Sequence, residues 1–314
     1  MKKISVIGPC FNEEKNLDDF LIRLKKILQE LGVNYTIILI DDGSSDNTWK
    51  KICDFSNKDN KIFGIKLTRN FGQQSAILSG LKYANGDFIF VTDVDLQDPP
   101  ELIKDMYEKA LNENFEVVFG KRIKNSESGF KKITSLLFYK IFNLISETKI
   151  AEQTSDFVLL NKKVKEEIVK LNQKDIFFRG LIPWLGFRIG YVEFSRGVRT
   201  RGKTGYSFNK MIDLTITAFL SYSKYPMRLP FYLGMISGFA FFLLLIYGIL
   251  SYLTNDVIRG WTSIFMVISF FGMIIFFILG LLSEYLGRIY SQIQSKPSFV
   301  IETFSRKEDF NDKV

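Results

Sequence analysis

The stretch FIFVTDVDLQDPP, residues 88–100, joins a short apolar run to a cluster of acidic residues. Consecutive large apolar residues are typical of a strand that is buried on both faces of a sheet. Residues two apart on an extended segment point the same way, so Asp93 and Asp95 can direct both carboxylates to one point. Two carboxylates that close repel each other unless a cation lies between them. The stretch therefore predicts a buried strand that leads into a site for Mg²⁺ or Mn²⁺.

An isolated pair of aspartates in this spacing is more often structural, because turns use Asp for local hydrogen bonds. Here the pair follows a buried strand and has Gln97 and Asp98 next to it, which favours the metal site. A hard divalent ion takes one or two carboxylates and completes its shell with water and phosphate oxygens. A diphosphate ligand would supply those oxygens.

The first two thirds of the chain repeat this alternation of apolar runs and helical patterns. Runs at 4–7, 36–40, 63–67, 88–91 and 117–119 predict strands. Apolar residues recur at spacings of three and four within 17–31, and less regularly within 46–58, 72–84 and 99–114, which predicts helices. The order predicts an α/β fold with a mostly parallel sheet between helices. Such a sheet binds ligands at the carboxyl ends of its strands.

Polar segments follow every predicted strand: NEE at 12–14, DDGS at 41–44, RN at 69–70, TDVD at 92–95 and KR at 121–122. Each alone is common turn or helix-cap chemistry. Their collection at one edge of the sheet favours a ligand site.

The composition excludes several kinds of site. The chain has no histidine, so it can hold neither a Ser-His-Asp nucleophile system nor a His-ligated zinc ion. Its two cysteines, Cys10 and Cys53, cannot build a disulfide framework. The net charge of +8 suits an anionic membrane surface. Nucleic acid is a poorer match, because the bases are interleaved with acids and no recognised motif occurs.

Two long apolar runs, 229–253 and 261–283, follow this α/β region and are separated by a short polar break. Each is long enough to cross a bilayer as a helix, and we predict a transmembrane hairpin. The alternative is a pair of core helices in a large soluble domain. Lys and Arg residues flank the entrance and the exit, so the positive-inside bias places residues 1–228 and both termini in the cytoplasm. No signal peptide is expected at the start of the chain.

Two amphipathic segments carry bases beside apolar residues. The first, 130–145, contains Lys131 and Lys132, and the second lies within 207–228. Both suit helices that lie in the membrane interface, although they could equally pack on the sheet or on partner subunits. The loop 197–204 matches the G-x-x-x-x-G-K-T pattern of phosphate loops, but no acidic strand follows it, so a nucleotide hydrolase is not favoured. Its bases, including Arg199, Arg201 and Lys203, still favour an anionic ligand.

The segments PCFNEE at 9–14, IDDGSSD at 40–46, NFG at 70–72 and DVDLQDPP at 93–100 resemble family 2 glycosyltransferases of the GT-A fold. More narrowly, the chain resembles polyprenyl-phosphate glycosyltransferases, such as bactoprenol glucosyltransferases and dolichyl-phosphate mannose synthases. The C-terminal segments GWTS at 260–263 and EYLGRIY at 284–290 are most similar to the bactoprenol branch. The resemblance runs through nearly the whole chain and implies a Rossmann-like α/β domain.

The resemblance also implies roles for individual residues. Positions that cradle the nucleotide correspond to Pro9, Phe11, Glu13, Ile40 and Asp42. Positions that hold the metal and the diphosphate correspond to Asp93, Asp95 and Gln97. Phosphate-contacting arginines correspond to Arg122 and Arg199, and the acid near the reacting centre to Asp156. Relatives end the Arg199 loop with Gly-Glu-Ser-Lys-Tyr; this chain has Gly205 at the lysine position, so we infer that Lys203 supplies that charge. Lys131, Lys132 and Arg201 complete the predicted contacts to the lipid phosphate.

The expected organisation is a GT-A domain at 1–206, an amphipathic helix and linker at 207–228, transmembrane helices at 229–253 and 261–283, and a cytoplasmic tail at 284–314. The expected reaction is an inverting transfer of one sugar, with UDP-glucose as the preferred donor, to undecaprenyl phosphate at the cytoplasmic membrane face. Because that acceptor is already ionised, we expect Asp156 to orient groups more than it removes a proton.

Other interpretations stay open from the sequence. Mannose, galactose, N-acetylhexosamine and aminoarabinose donors are compatible with the same motifs. A processive polysaccharide synthase would need a longer membrane channel, and a non-enzymatic scaffold is disfavoured by the intact aspartates. Homo-oligomers are compatible with the resemblance.

Overall fold

The computed structural model describes residues 2–122, 154–171, 178–194, 261–293 and 297–306, and single helical positions at 236, 239, 242, 243 and 246. The strands, numbered along the chain, form one sheet. Their bounds are β1 Lys3–Cys10, β2 Asn34–Asp41, β3 Ile62–Leu67, β4 Phe88–Val91, β5 Val117–Arg122, β6 Thr154–Asn161, β7 Ile189–Phe194 and β8 Ile301–Phe304.

Helices connect most of these strands. Their bounds are α1 Leu17–Glu30, α2 Thr48–Lys58, α3 Gln73–Tyr83, α4 Ile103–Asn112, α5 Lys162–Lys170, α6 Phe178–Trp184 and α7 Trp261–Ile293, with a short 3₁₀ turn at Pro100–Leu102 before α4. In α1 the predicted apolar stripe is buried, because Leu17, Phe20, Leu21, Leu24, Ile27 and Leu28 recur on one face and pack on the sheet. The strands and helices predicted from the first 119 residues are therefore confirmed within a few residues of their ends.

The sheet has the order β7-β5-β6-β4-β1-β2-β3-β8. Strands β4, β1, β2 and β3 are parallel neighbours, and β5 is parallel to β7. The prediction of a mostly parallel α/β sheet is thus confirmed. Its central strands are apolar on both faces, since residues such as Ile4, Val6, Ile37 and Ile89 are fully buried.

Strand β6 was not predicted, and it determines the position of Asp156. It inserts antiparallel between β4 and β5, with Val91 opposite Val158 and Phe88 opposite Asn161. An antiparallel strand begins at the edge where its parallel neighbours end. Asp156, near the start of β6, therefore lies at the same edge as Asp93, two residues beyond the end of β4.

Strands β7 and β8 were not predicted either, and β8 joins the C-terminal segment to the sheet. It pairs antiparallel with β3, so the segment predicted to be a tail from residue 284 is helical through Ile293 and then supplies an edge strand. Phe304 stacks on Phe63 with ring centroids 5.7 Å apart, and it meets Tyr83 edge-on at 5.4 Å. The Arg306 guanidinium donates to the backbone carbonyls of Asn60 and Ile62.

Gly64 of β3 is required for this packing. A side chain at this position would collide with Ile52 of α2 and approach the Cβ of Ser305 to 3.1 Å. The Ser305 hydroxyl instead accepts a hydrogen bond from the Gly64 amide at 2.8 Å.

The C-terminal apolar region forms a separate unit, and among its described residues one helix, α7, has the length and composition of a membrane span, at Phe270–Gly287. The other predicted span, 229–253, and the amphipathic segments at 130–145 and 207–228 lie outside the continuously described residues. The two-helix hairpin accordingly stays a prediction.

The contacts of Phe304 make a stability prediction. Phe304→Ala removes both ring contacts and leaves a gap between β3 and α3, so the free energy of unfolding should fall by about 2 kcal/mol. Thermal unfolding of the purified full chain in detergent, followed by circular dichroism, measures this as a lower midpoint. Val300→Ala, at an exposed neighbouring position, is the matched control. Equal midpoints for the two variants would contradict the assigned role of β8.

Candidate functional site

The carboxyl ends of β2 and β4 and the start of β6 bring four predicted acids to one edge of the sheet. These acids are Asp42, Asp93, Asp95 and Asp156. Asp42 and Asp156 are buried, and Asp93 and Asp95 are half-buried. Carboxylates at such positions must be paired, hydrogen-bonded or protonated, so the partners of each acid indicate what the site can do.

Asp93 is held by an unpredicted residue, Gln73, at the first position of α3. The Gln73 side-chain amide donates to Asp93 Oδ1 at 2.6 Å. Burial raises the pKa of Asp93 to about 7, and the charges of Asp95, Asp156 and Asp98 add to this effect while Arg122 opposes it. The positive charge of Arg122 therefore does not balance the effects of burial and of the three neighbouring acids on Asp93.

The loop after Asp93 is a turn, and the expectation that Asp93 and Asp95 lie on one extended segment is wrong. Leu96 has φ +59°, a left-handed conformation that costs a non-glycine residue of order 1 kcal/mol. The bend lets the backbone N–H of Gln97 donate to Asp95 Oδ1 at 3.1 Å. The side chain of Gln97 is buried beside this turn, and its predicted role as a metal ligand stays a prediction.

The donor set at this edge fits a hard divalent ion. Within the described ranges, no group of three or more Asp, Glu, Cys or His side chains is arranged to hold a metal by itself. Mg²⁺ and Mn²⁺ do not need such a group, because they bind through one or two carboxylates with water and phosphate oxygens. The raised pKa of Asp93, caused first by burial and then by the neighbouring acids, means that its charged form is disfavoured here, and a bound cation would favour that form.

Asp156 is fixed by an arginine that was not predicted as a site residue. Arg179 of α6 donates Nε to Asp156 Oδ1 and Nη2 to Oδ2, both at 3.0 Å. Gln74 donates its amide to Asp156 Oδ2 at 3.3 Å, and its carbonyl accepts the Phe178 backbone N–H at 3.2 Å. Both oxygens of Asp156 are thus engaged, which is the arrangement of a carboxylate held in one orientation.

Arg122, predicted to contact a phosphate, is oriented by the buried Asp98. Its Nη2 donates to Asp98 Oδ2 at 2.9 Å, and its Nε donates to Oδ1 at 3.2 Å. The guanidinium stays half-exposed at the same edge as Asp93. The ion pair leaves it within reach of an anion, and phosphate binding by Arg122 remains a prediction.

The predicted nucleotide-binding residues fall into three environments. Pro9 and Ile40 are paired across β1 and β2. Ile40 is fully buried and lies close to Gly80 of α3, so it could reach a nucleotide only through its backbone. The ring of Phe11 is 48 % exposed, as a stacking surface requires. Glu13 accepts from Asn16 through its side chain and donates its backbone N–H to Thr48.

Asp42 binds the backbone of the loop that precedes α3. Its two oxygens accept the backbone N–H groups of Phe71 at 2.7 Å and Gly72 at 2.9 Å, and burial raises its pKa against the effect of these bonds. Gly43 has φ +70°, and a side chain there would meet the Arg69–Asn70 backbone at 2.5 Å. The β2 turn therefore anchors the loop that starts α3. Nucleotide binding by Asp42 stays a prediction beside this structural role.

The remaining predicted phosphate contacts lie outside the described residues: Lys131, Lys132, Arg199, Arg201 and Lys203. In contrast, the structure adds Gln73, Gln74, Asp98 and Arg179 to the site. The only sequence signal for the two glutamines was their place just after the polar segment that follows β3.

Comparison with known proteins agrees with this geometry. The family description "Glycosyl transferase family 2" matches residues 5–169, which contain Asp93, Asp95 and Asp156. The chain belongs to the family 2 glycosyltransferases, and it is a glycosyltransferase with a GT-A-like α/β fold.

Two relatives cover nearly its whole length. An uncharacterized glycosyltransferase, YkcC of Bacillus subtilis, is 37% identical over 300 residues, covering 95% of this chain and 93% of its own. The prophage-derived bactoprenol glucosyl transferase of Shigella flexneri is 33% identical over 306 residues, covering 97% and 99%.

A solved structure shows the same fold at low identity. The crystal structure of glucosyl-3-phosphoglycerate synthase from Mycobacterium tuberculosis, in complex with Mn²⁺, UDP and glucosyl-3-phosphoglycerate, superposes with a TM-score of 0.50. It is 18% identical, and the match covers 70% of this chain and 79% of that one.

The raised pKa of Asp93 makes a prediction for the metal-free protein. In the unfolded chain Asp93 ionises near its ordinary value of 3.8, but in the folded protein it keeps its proton to about pH 7. The folded state binds the extra proton in this window, so Asp93 lowers stability as the pH rises from about 4 to about 7. Asp93→Asn removes this cost, and its stabilising effect in EDTA should be about 2 kcal/mol larger at pH 8 than at pH 5.

Thermal unfolding of both proteins at the two pH values measures this difference. The same substitution at Asp105, an exposed position of α4, is the control. A stabilising effect of Asp93→Asn that does not change with pH would show that Asp93 is not forced to carry a proton.

Proposed function

We propose that this glycosyltransferase transfers one sugar, glucose from UDP-glucose, to undecaprenyl phosphate at the cytoplasmic face of the membrane. The observation that carries the proposal is the acidic edge of the sheet, with Asp93 and Asp95 on one loop and Asp156 beside them. The choice of acceptor is supported by the similarity to a bactoprenol glucosyl transferase, which covers 97% of this chain.

The reaction needs two phosphate-bearing substrates at one edge. An oxygen of the acceptor phosphate attacks the anomeric carbon of the sugar, the bond from that carbon to the diphosphate breaks, and UDP leaves with the electron pair. One direct displacement inverts the anomeric centre. Asp93 and Asp95 would hold Mg²⁺ or Mn²⁺, and the ion would supply positive charge to offset charge on the diphosphate. The Mn²⁺ and UDP in the Mycobacterium tuberculosis synthase support this assignment.

The protein's own residues position the substrates. The exposed ring of Phe11 offers a stacking surface for the base of the nucleotide. Arg122, oriented by Asp98, places a fixed positive charge beside Asp93, where it would attract a phosphate. Aligning nucleophile and leaving group is worth several kcal/mol of barrier, and it demands rigid side chains of this kind.

The contacts of Asp156 support a positioning role over proton removal. The acceptor phosphate carries negative charge at neutral pH, with a second pKa of about 6 by analogy with phosphorylated side chains, so it attacks without giving up a proton to the enzyme. Asp156 is bound at both oxygens by Arg179, which fixes the orientation of the carboxylate close enough to Asp93 to raise its pKa.

The membrane topology is supported by the sheet itself. Strand β8 follows α7 in the chain, yet it belongs to the same sheet as β1–β7. Strands on both sides of α7 in one sheet are expected to lie on one side of a membrane, so a membrane-spanning α7 would need a second crossing between Phe194 and Pro297. The apolar run at 229–253 is our proposal for that crossing. Flanking Lys and Arg residues support the cytoplasm as the side of the sheet.

A transfer assay tests the proposal. Purified protein is incubated with radiolabelled nucleotide sugars, Mn²⁺ and undecaprenyl phosphate, and the products are separated by lipid extraction. We expect labelled undecaprenyl-phosphate glucose from UDP-glucose and none with Asp95→Asn. If the labelled monosaccharide lipid formed from another donor, the proposed reaction would stand and only the assigned donor sugar would change. A polymer would indicate a processive synthase, and no transfer from any donor would indicate a scaffold.

A separate prediction concerns Asp156. Asp156→Asn keeps the shape of the side chain and should lower kcat less than Asp93→Asn does, with the pH dependence of kcat retained. Steady-state kinetics across pH at saturating Mn²⁺ provide the measurement. If Asp156→Asn lost as much turnover as Asp93→Asn while substrate binding stayed unchanged, Asp156 would be a base and the positioning role would be wrong.

A further inference from the structure

Two adjacent glutamines at the start of α3 contact two different carboxylates. Gln73 donates to Asp93 Oδ1 at 2.6 Å, whereas Gln74 donates to Asp156 Oδ2 at 3.3 Å. Their side chains thus connect one helix end to both acids on which the proposed reaction depends. The question is what each contact controls.

The helix end that carries them is fixed to the sheet through its backbone. Asp42 accepts the N–H groups of Phe71 and Gly72 immediately before α3. Gly72 has φ +95°, the left-handed conformation that turns the chain into the helix. Because Asp42 holds the backbone just before Gln73 by two hydrogen bonds, the side-chain amide of Gln73 starts from a fixed position and reaches Asp93.

An amide that binds one oxygen of a carboxylate fixes the plane of that carboxylate and so the direction of its other oxygen. Partners of this kind orient metal ligands, and their loss commonly weakens metal binding by 10- to 100-fold. Gln74 belongs to the Asp156–Arg179 network instead, where Arg179 already holds both oxygens. Gln73 therefore contacts the proposed metal ligand Asp93, whereas its neighbour Gln74 contacts Asp156.

We propose that Gln73 is a positioning residue of the divalent-cation site, which acts by orienting Asp93, and that Gln74 positions Asp156 without affecting the cation. The inference rests on the proposed function, because it requires a divalent cation at Asp93. It adds a residue from α3 to a site whose predicted ligands all lie on the loop after β4.

The test uses one substitution at both positions. Gln73→Met and Gln74→Met keep the length of the side chain and a similar helix propensity, and each removes the amide donor. Mn²⁺ binding to the purified full chain is measured in the presence of UDP by the loss of the electron paramagnetic resonance signal of free Mn²⁺. We expect Gln73→Met to weaken Mn²⁺ binding by about 10- to 100-fold and Gln74→Met to change it by less than about twofold.

Turnover gives an independent readout. With Gln73→Met, activity should recover as the Mn²⁺ concentration is raised, because only the occupancy of the site is reduced. With Gln74→Met, whatever fall in kcat occurs should persist at saturating Mn²⁺, because Gln74 contacts Asp156 and not the cation site. Gln73→Ala, which removes the amide by truncation, carries the same expectation as Gln73→Met, and thermal unfolding identifies any variant that is not folded.

Each alternative outcome has a distinct meaning. If the unsubstituted protein binds no Mn²⁺ in the presence of UDP, the metal-dependent function itself is wrong. If it binds Mn²⁺ and folded Gln73→Met and Gln73→Ala bind it equally well, the function stands and the role of Gln73 is wrong. Equal weakening by Gln73→Met and Gln74→Met would show a general loosening of α3 and would also overturn the proposal.

Discussion

Repulsion among carboxylates is the constraint on which the rest of the site depends. Asp93, Asp95, Asp98 and Asp156 lie at one edge of the sheet, and burial, together with the charges of the other three, raises the pKa of Asp93 to about 7. A fold that gathers acids in this way loses stability unless each acid has a compensating partner. The partners found in the structure, and the cation we propose, are the two means by which that repulsion is offset.

The protein partners divide the acids into two groups. Asp98 and Asp156 are paired with arginines, through bidentate contacts to Arg122 and Arg179. Asp93 and Asp95 accept neutral N–H groups, from the Gln73 side-chain amide and the Gln97 backbone. Neutral donors orient a carboxylate without cancelling its charge. The divalent cation that we propose at this pair would supply the positive charge that these two contacts do not bring.

The sequence predicted the central sheet well, because its parallel strands are short apolar runs between amphipathic helices and need no long-range information. It could not predict β8, a four-residue edge strand whose pairing with β3 spans more than 200 residues and leaves only weak local signals. Asp156 was identified only by resemblance, since its place beside Asp93 comes from the antiparallel insertion of β6. Gln73 and Arg179 were missed for a similar reason: their contacts are tertiary, and nothing in their local sequence specifies a carboxylate partner.

The most direct test of the account is the anomalous scattering of manganese in crystals of the full chain grown with Mn²⁺ and UDP. The account predicts one strong peak in contact with carboxylate oxygens of Asp93 and Asp95 and with the diphosphate. A diphosphate bound at this edge with no manganese peak beside these aspartates, or a peak held by other residues, would contradict it.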